Sequence, residues 1–219
     1  MITTENLSIR FSDSAAIHYA DLQFESGHSY ALLGASGCGK STLLNMIAGI
    51  LTPTEGSVCI DGASIQSWNQ KKRDLFRIRN IGYIYQDFKL LEEMSVQDNI
   101  DILRLEGVDT SSKDTLLDRL GILPMKKRRV RSLSGGEKQR VAIARALIKQ
   151  PSIILADEPT GNLNFETGYE VMRQLIENAA GGTLIAVTHD DRLAHLFDHV
   201  MDMNSIARFI TGKEAAIHA

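Results

Sequence analysis

The clearest chemistry in this chain lies in nine consecutive residues, Gly34-Ala35-Ser36-Gly37-Cys38-Gly39-Lys40-Ser41-Thr42. Their pattern, G-x-x-x-x-G-K-[ST], is that of a phosphate-binding loop. Three glycines let the backbone wrap a phosphate without side-chain interference, Lys40 adds a point charge, and the Ser41 hydroxyl is placed to ligate Mg²⁺. The apolar run Tyr30-Ala31-Leu32-Leu33 before the loop reads as a buried strand, and Leu43 to Gly49 after it reads as a helix. A strand, a tight turn and a helix N-terminus direct backbone N–H groups and the positive end of the helix dipole at one point. A nucleoside triphosphate is the expected ligand; a chance Gly-rich loop would not have strand and helix both in register.

Two further stretches carry chemistry. Ser152-Ile153-Ile154-Leu155-Ala156-Asp157-Glu158 is an apolar strand ending in two carboxylates. Asp157 at its tip is placed to hold Mg²⁺ through water, and Glu158 to orient and deprotonate an attacking water. Leu133-Ser134-Gly135-Gly136-Glu137-Lys138-Gln139-Arg140 opens a long helix over 136–149, so Ser134, Gly135 and Gly136 form a second helix N-terminus suited to an anion. One chain cannot easily apply two such sites to one triphosphate.

These residues need a scaffold, and the pattern of the chain supplies one. Residues 2–10 and 15–25 alternate apolar and polar positions about a turn at Ser12-Asp13-Ser14, which predicts antiparallel sheet. Ser57–Ile60 and Ile81–Tyr85 read as strands, and residues 71–80 as a polar, basic stretch. Between 95 and 150 no convincing strand is found, and helices are expected from Ser95, over 111–120 and over 136–149. Strand character returns at 152–157 and 183–188 around a helix near 166–178. Continuous apolar strands separated by helices predict a parallel sheet covered on both faces.

Composition narrows the function. At 219 residues with a formal charge of −3, the chain suits one α/β core and lacks the basic footprint of a nucleic-acid binder. No stretch is apolar enough to span a bilayer, and the first residues do not read as a secretory signal. Cys38 and Cys59 do not suggest a disulfide framework.

In order and spacing these motifs resemble the ATP-binding subunit of ABC transporters, from Phe11 to His189. The resemblance implies a P-loop NTPase of α/β class with a mainly parallel core sheet, an N-terminal antiparallel β subdomain and an inserted α-helical subdomain. It implies one ATPase domain over 1–219, with 1–86 and 151–219 as nucleotide-binding core and 87–150 as the helical signature subdomain. ATP and Mg²⁺ are the implied cofactors, Mg²⁺ at Ser41, Gln86 and Asp157. A head-to-tail dimer is also implied, each ATP lying between the phosphate loop of one subunit and Ser134, Gly135 and Gly136 of the other. Phe11 matches the aromatic that stacks on adenine, a position more usually Tyr; an ordinary edge-strand aromatic is the plain alternative. Gln86 matches the glutamine that senses Mg²⁺ and water, Glu158 the catalytic base and His189 the γ-phosphate histidine.

The segment Tyr83 to Phe88, the Leu90-Leu91 pair and Glu158 to Leu163 resemble the lipoprotein-release, macrolide-export and cell-division branch. That implies a separate four-helix membrane subunit with an extracytoplasmic domain, work at the cytoplasmic face of the inner membrane, and no nucleic-acid partner. The short stretch after about residue 210 fits the same branch. A small-solute importer ATPase shares every motif, whereas soluble non-transport relatives usually carry tandem domains or long insertions. One position departs from the pattern: Asn164 stands where Asp is usual, which keeps the shape but loses the charge, and altered coupling between the two sites is expected. Phe88, Leu90 and Leu91 either meet a coupling helix of the membrane subunit or form a buried loop cluster. The basic run 126–131 reads as a solvated face, His195 and His199 not as a zinc pair, and Trp68 as locally packed. The Cys38 thiol is expected beside the phosphates.

Overall fold

The structure, a computed structural model, describes residues 1–12, 15–179 and 181–211. The chain begins with β1 (Ile2–Ser12), β2 (Ala15–Tyr19), β3 (Leu22–Phe24) and β4 (Ser29–Leu33), then α1 (Lys40–Ile47), β5 (Glu55–Ile60) and β6 (Ala63–Ser64). It continues through α2 (Gln70–Asn80), β7 (Ile81–Ile84), α3 (Val96–Asp101), α4 (Lys113–Arg119) and α5 (Gly135–Leu147). It ends with β8 (Ile153–Asp157), α6 (Phe165–Asn178), β9 (Thr183–Thr188), β10 (His199–Asp202), α7 (Met203–Ile206) and β11 (Ala207–Thr211).

The expected two-sheet architecture is present. A parallel sheet runs β10-β4-β9-β8-β7, and an antiparallel sheet runs β11-β2-β1-β5-β6, with β3 pairing the start of β1. Alternation along the parallel strands divides the core in two. Ile153, Leu155, Ile185 and Val187 face α1 and the antiparallel sheet. Ile154, Ala156, Leu184 and Ala186 face the other way, toward α5, α6 and the helical segment. The apolar interior of that segment, including Val96, Ile100, Leu117 and Val130, is continuous with this second cluster. Helix α5 joins the two: Ser134 caps one end, and near the other Ala146 presses on β7 at Gly82, where an added Cβ would lie 2.8 Å from its carbonyl oxygen.

Several local expectations are revised. The stretch expected as one strand over 15–25 is two, β2 and β3, both paired to β1. The break lies opposite a bulge, where Asn6 adopts φ 47° and β1 uses three steps from Glu5 to Ser8 against two from Ser57 to Glu55. Gly56 is required there, because a Cβ would sit 2.3 Å from the carbonyls of Glu5 and Asn6. Of the expected turn at 12–14, Asp13 and Ser14 lie outside the described residues. The polar stretch 71–80 is helix α2, which buries no residue and so shows no apolar stripe. Its N-cap Asn69 accepts a bond from the Lys72 amide at 2.9 Å, and Trp68 packs locally, edge-on to Phe76 and under Lys72.

Just beyond α5, Lys149 donates to the Arg77 carbonyl at 3.1 Å. Burial pushes its ammonium down to about 8. The unfolded chain holds that proton to about pH 10.4. Between those values the unfolded state binds more protons, so stability rises with pH across the window. Denaturant melts of Lys149→Met between pH 7 and 10 are expected to rise less steeply than those of the parent; equal slopes would remove Lys149 as the cause.

Candidate functional site

The phosphate loop occupies the turn from β4 into α1. Its first residue is tied to the neighbouring strand by the Gly34 amide on the Thr188 carbonyl (3.3 Å). Gly39 ends the loop at φ 90°, a conformation suited to glycine, and its carbonyl accepts a 2.9 Å bond from the buried Tyr19 hydroxyl. Helix α1 starts at Lys40, so its first N–H groups face into the loop. Gly34 has no room for a side chain, since a Cβ would lie 2.6 Å from the Cys38 sulfur and 2.8 Å from Met203. The Cys38 sulfur therefore sits under the loop, 4.0 Å from the Lys40 ammonium.

Lys40 is 4% exposed; its ammonium donates to the Gly34 carbonyl at 2.7 Å, the Ala35 carbonyl at 2.9 Å and the Cys38 sulfur at 4.0 Å, and it forms an ion pair with Glu158 Oε1 at 3.3 Å. A phosphate oxygen reaching Lys40 competes with these partners. The same carboxylate accepts from His189 Nδ1 at 2.6 Å through Oε2. Against a carboxylate Nδ1 is assigned as the donor, which leaves Nε2 on the far side of the ring. Glu158 is thus held between an ammonium and an imidazole at the end of β8. Its backbone is at φ 45°, and its amide donates to the Val187 carbonyl at 3.1 Å.

Beside this group the Ser41 hydroxyl donates to Asp157 Oδ1 at 2.8 Å. Burial raises the Asp157 carboxyl above the usual range; the Ser41 bond opposes the rise and neighbouring Glu158 adds to it. A hydroxyl and a carboxylate at this separation are hard oxygen donors that fit Mg²⁺. Gln86 follows β7 and closes the cleft. A Cβ on Gly161 would lie 3.2 Å from the Gln86 side-chain nitrogen and 3.3 Å from Glu158 Oε2, so the amide and the carboxylate share one corner. The cleft, of about 390 Å³, is lined by Ser36, Gly37, Gly39, Lys40, Ser41, Thr42, Gln86 and Glu158, with Phe11, Ile17 and Phe209 at one end. Among the described residues that line it, none is Ser134, Gly135 or Gly136.

That second helix N-terminus stands apart on α5. The Ser134 hydroxyl accepts from the Glu137 amide at 3.4 Å, and Glu137 returns a 2.7 Å acceptor to the Ser134 amide. This reciprocal box lowers the Glu137 carboxyl, chiefly through the Ser134 amide, with the Ser134 side chain adding to it. Gly136 also has no room for a Cβ, which would meet Thr167 at 2.6 Å.

Several contributors carry no sequence signature. Asn162 donates its amide to the Gln86 carbonyl at 2.9 Å. Arg145 donates to the carbonyls of Phe88 (2.9 Å) and Lys89 (2.6 Å), two residues at positive φ just beyond Gln86. Gln86 is therefore held directly by Asn162 and, through Phe88 and Lys89, indirectly by Arg145. Of the residues expected near it, Phe88 and Leu90 are half-buried and Leu91 is exposed.

Asn164 caps α6, its side-chain oxygen accepting from the Thr167 amide at 2.9 Å. With the oxygen so used, the outward atom is the amide nitrogen, a donor where Asp would present a charged acceptor. Asn164→Asp keeps the cap and adds a favourable charge at the helix start, about 0.3–1 kcal/mol. It is expected to raise the melting temperature slightly and to increase kcat several-fold with KM for ATP nearly constant. An unchanged kcat would leave Asn164 a helix cap only.

Comparison with known proteins follows the same lines. The sequence profile of the family described as ABC transporter matches residues 17–161. The ABC transporter ATP-binding protein YtrE of Bacillus subtilis is 40% identical over 182 residues, covering 80% of this chain and 79% of the relative. The lipoprotein-releasing system ATP-binding protein LolD of Bacteroides fragilis is 36% identical over 216 residues, 94% of this chain and all of the relative. Among solved structures, the ATP-binding cassette MJ0796, a dimer in a post-hydrolysis state bound to ADP and Pi, superposes with a TM-score of 0.80. It is 29% identical and covers 96% of this chain and 98% of its own.

Proposed function

This chain belongs to the ABC transporter family of ATP-binding proteins and is an ATPase, and on that basis we propose that Glu158 is its general base, unmasked when Lys40 turns to the substrate phosphates. The observation that carries this reading is the shared contact of Lys40 and His189 on one carboxylate. When Lys40 gives up Oε1 of Glu158 for a phosphate oxygen, that carboxylate oxygen becomes free to accept a proton from water. His189, held at Nδ1 by the other oxygen, donates from Nε2 to the terminal phosphate when both ring nitrogens carry a hydrogen. Loop N–H groups and the start of α1 hold the phosphates. Ser41, Asp157 and Gln86 would hold Mg²⁺, which when bound offsets charge on the phosphate oxygens.

In the same reading Ser134, Gly135 and Gly136 serve a second copy of the chain or a related ATPase. Their separation from the Lys40 cleft supports this, as does the dimeric MJ0796 cassette. Residues 87–150 act as the unit that carries them.

We further propose a membrane permease subunit as partner, and work in export or mechanotransmission at the cytoplasmic face of the inner membrane. No helix among the described residues is long and apolar enough to cross a membrane. The likeness to a lipoprotein-releasing ATP-binding protein over nearly the whole chain supports the branch. A groove of about 330 Å³ next to the strand that leads to Gln86 has apolar residues Ile50, Ile78 and Leu103 beside the charged Arg77, Glu106, Arg145 and Lys149, which supports docking of a segment with both apolar and charged residues.

The test is to tag the Glu158→Gln protein, trap it with Mg-ATP in detergent-solubilised membranes of its own cell, and identify what co-purifies. A four-helix partner with a large extracytoplasmic domain is the expected result. A many-helix permease with a solute-binding protein would make this an importer ATPase, and soluble partners alone would overturn the transport reading.

A further inference from the structure

Beyond the phosphate loop, one end of the cleft is apolar and built from three strands of the antiparallel sheet. Phe11 comes from β1, Ile17 from β2 and Phe209 from β11. Phe11 is 58% exposed and Phe209 50%, two large exposed rings on strands that flank β2 in the same sheet. Ile17 between them is buried and lies against Gly39, where a Cβ would be 3.2 Å from its Cδ1. Phe209 pairs directly with Ile17 across the β11–β2 ladder, so its side chain rises on the same face, toward the loop.

From this arrangement we propose that Phe209 is a second base-contacting residue, facing Phe11 across the nucleobase; the proposal rests on the reading of the cleft as the ATP site. The dimensions suit it. Two strand spacings separate β1 from β11 by roughly 10 Å, and Phe11 lies two residues beyond Ile9, the residue level with Ile17 and Phe209, so the two backbones are roughly 12 Å apart at these residues. A planar base in van der Waals contact with a ring on each face needs about 7 Å between the rings, which two side chains leaning inward from those strands supply. Ile17 forms the floor beneath the base. The cleft then binds the triphosphate through the loop and the base through two aromatics from the chain's first and last strands. Both exposed rings become covered only when a nucleotide is bound. Such contacts are sequence-tolerant among purines, because each base has a π-face.

The experiment is calorimetric titration of Mg-ATP and Mg-tripolyphosphate into the parent protein, Phe209→Ala, Phe209→Trp, Phe11→Ala and Lys40→Ala. Tripolyphosphate has the phosphates but no base. Phe209→Ala is expected to weaken ATP by roughly 5- to 30-fold and to leave tripolyphosphate within about 2-fold, with Phe209→Trp restoring ATP. An unchanged ATP affinity in Phe209→Ala would overturn the proposal and make the ring a cover for Ile17. So would an equal loss for both ligands, which marks damage to the loop. The underlying reading is tested separately. If Lys40→Ala leaves both ligands unaffected, the cleft is not the triphosphate site. If Lys40→Ala and Phe11→Ala lose ATP while Phe209→Ala does not, only the role of Phe209 fails.

Discussion

Glu158→Gln is expected to bind ATP with near-parent affinity while steady-state hydrolysis falls by ~10²–10⁴, the usual cost of removing a general base. The amide is isosteric and can still accept from His189, so the corner built by Gly161, Gln86 and His189 should persist. What it cannot do is take a proton from water. It also removes the anion that faces Lys40 at 3.3 Å. Lys40 then keeps the Gly34 and Ala35 carbonyls and the Cys38 sulfur, and a phosphate no longer competes with a carboxylate for it. Affinity should therefore stay level or rise slightly, and the protein should accumulate as an ATP-bound dimer on size-exclusion chromatography. Parent-level turnover would remove Glu158 from its role.

The second large effect is expected from Lys40→Ala. Lys40 is buried with three oxygens and the Cys38 sulfur around its ammonium. A charged hydrogen bond to phosphate is worth about 1.5–3 kcal/mol, so ATP affinity should fall by roughly 10- to 150-fold, and tripolyphosphate affinity with it. The substitution also leaves two loop carbonyls and one Glu158 oxygen without their donor. Ala35 is exposed and Gly34 and Glu158 are half-buried, so each unpaired group costs less than the ~1–3 kcal/mol of a fully buried one, and the variant should unfold at somewhat lower denaturant. The double variant Lys40→Ala with Glu158→Gln separates the two effects. Because the residues are in contact, its stability loss should be smaller than the sum of the single losses. Strict additivity would mean that the 3.3 Å ion pair contributes nothing.

Both predictions begin from residues that could be picked out before any fold was known. The phosphate loop, Asp157-Glu158 and Ser134-Gly135-Gly136 are local patterns: each needs only a few neighbouring residues and the start or end of one element. The inner parallel strands β4, β8 and β9 were legible because they are buried on both faces and so are nearly continuously apolar, and β9 falls on the expected residues 183–188. Helices with an apolar side were legible by spacing. Helix α2 was not, because a helix that buries nothing leaves no periodic trace. The split of residues 15–25 into β2 and β3 was not, because it answers a bulge in a different strand.

What sequence alone determined is which groups the chain owns: a loop that can wrap phosphates, a cation, two carboxylates at a strand tip, a second helix N-terminus. What tertiary structure decided is which of them touch. Lys40 and Glu158 are 118 positions apart in number, and no local spacing states that one ammonium will face that carboxylate at 3.3 Å. The hold on Gln86 by Asn162 and, indirectly, by Arg145, the capping use of the Asn164 oxygen, and the placing of Phe209 beside Ile17 are of the same kind. Each depends on strand order and helix packing. These are settled by burial summed over the whole core, whereas a motif is settled by the few residues it contains.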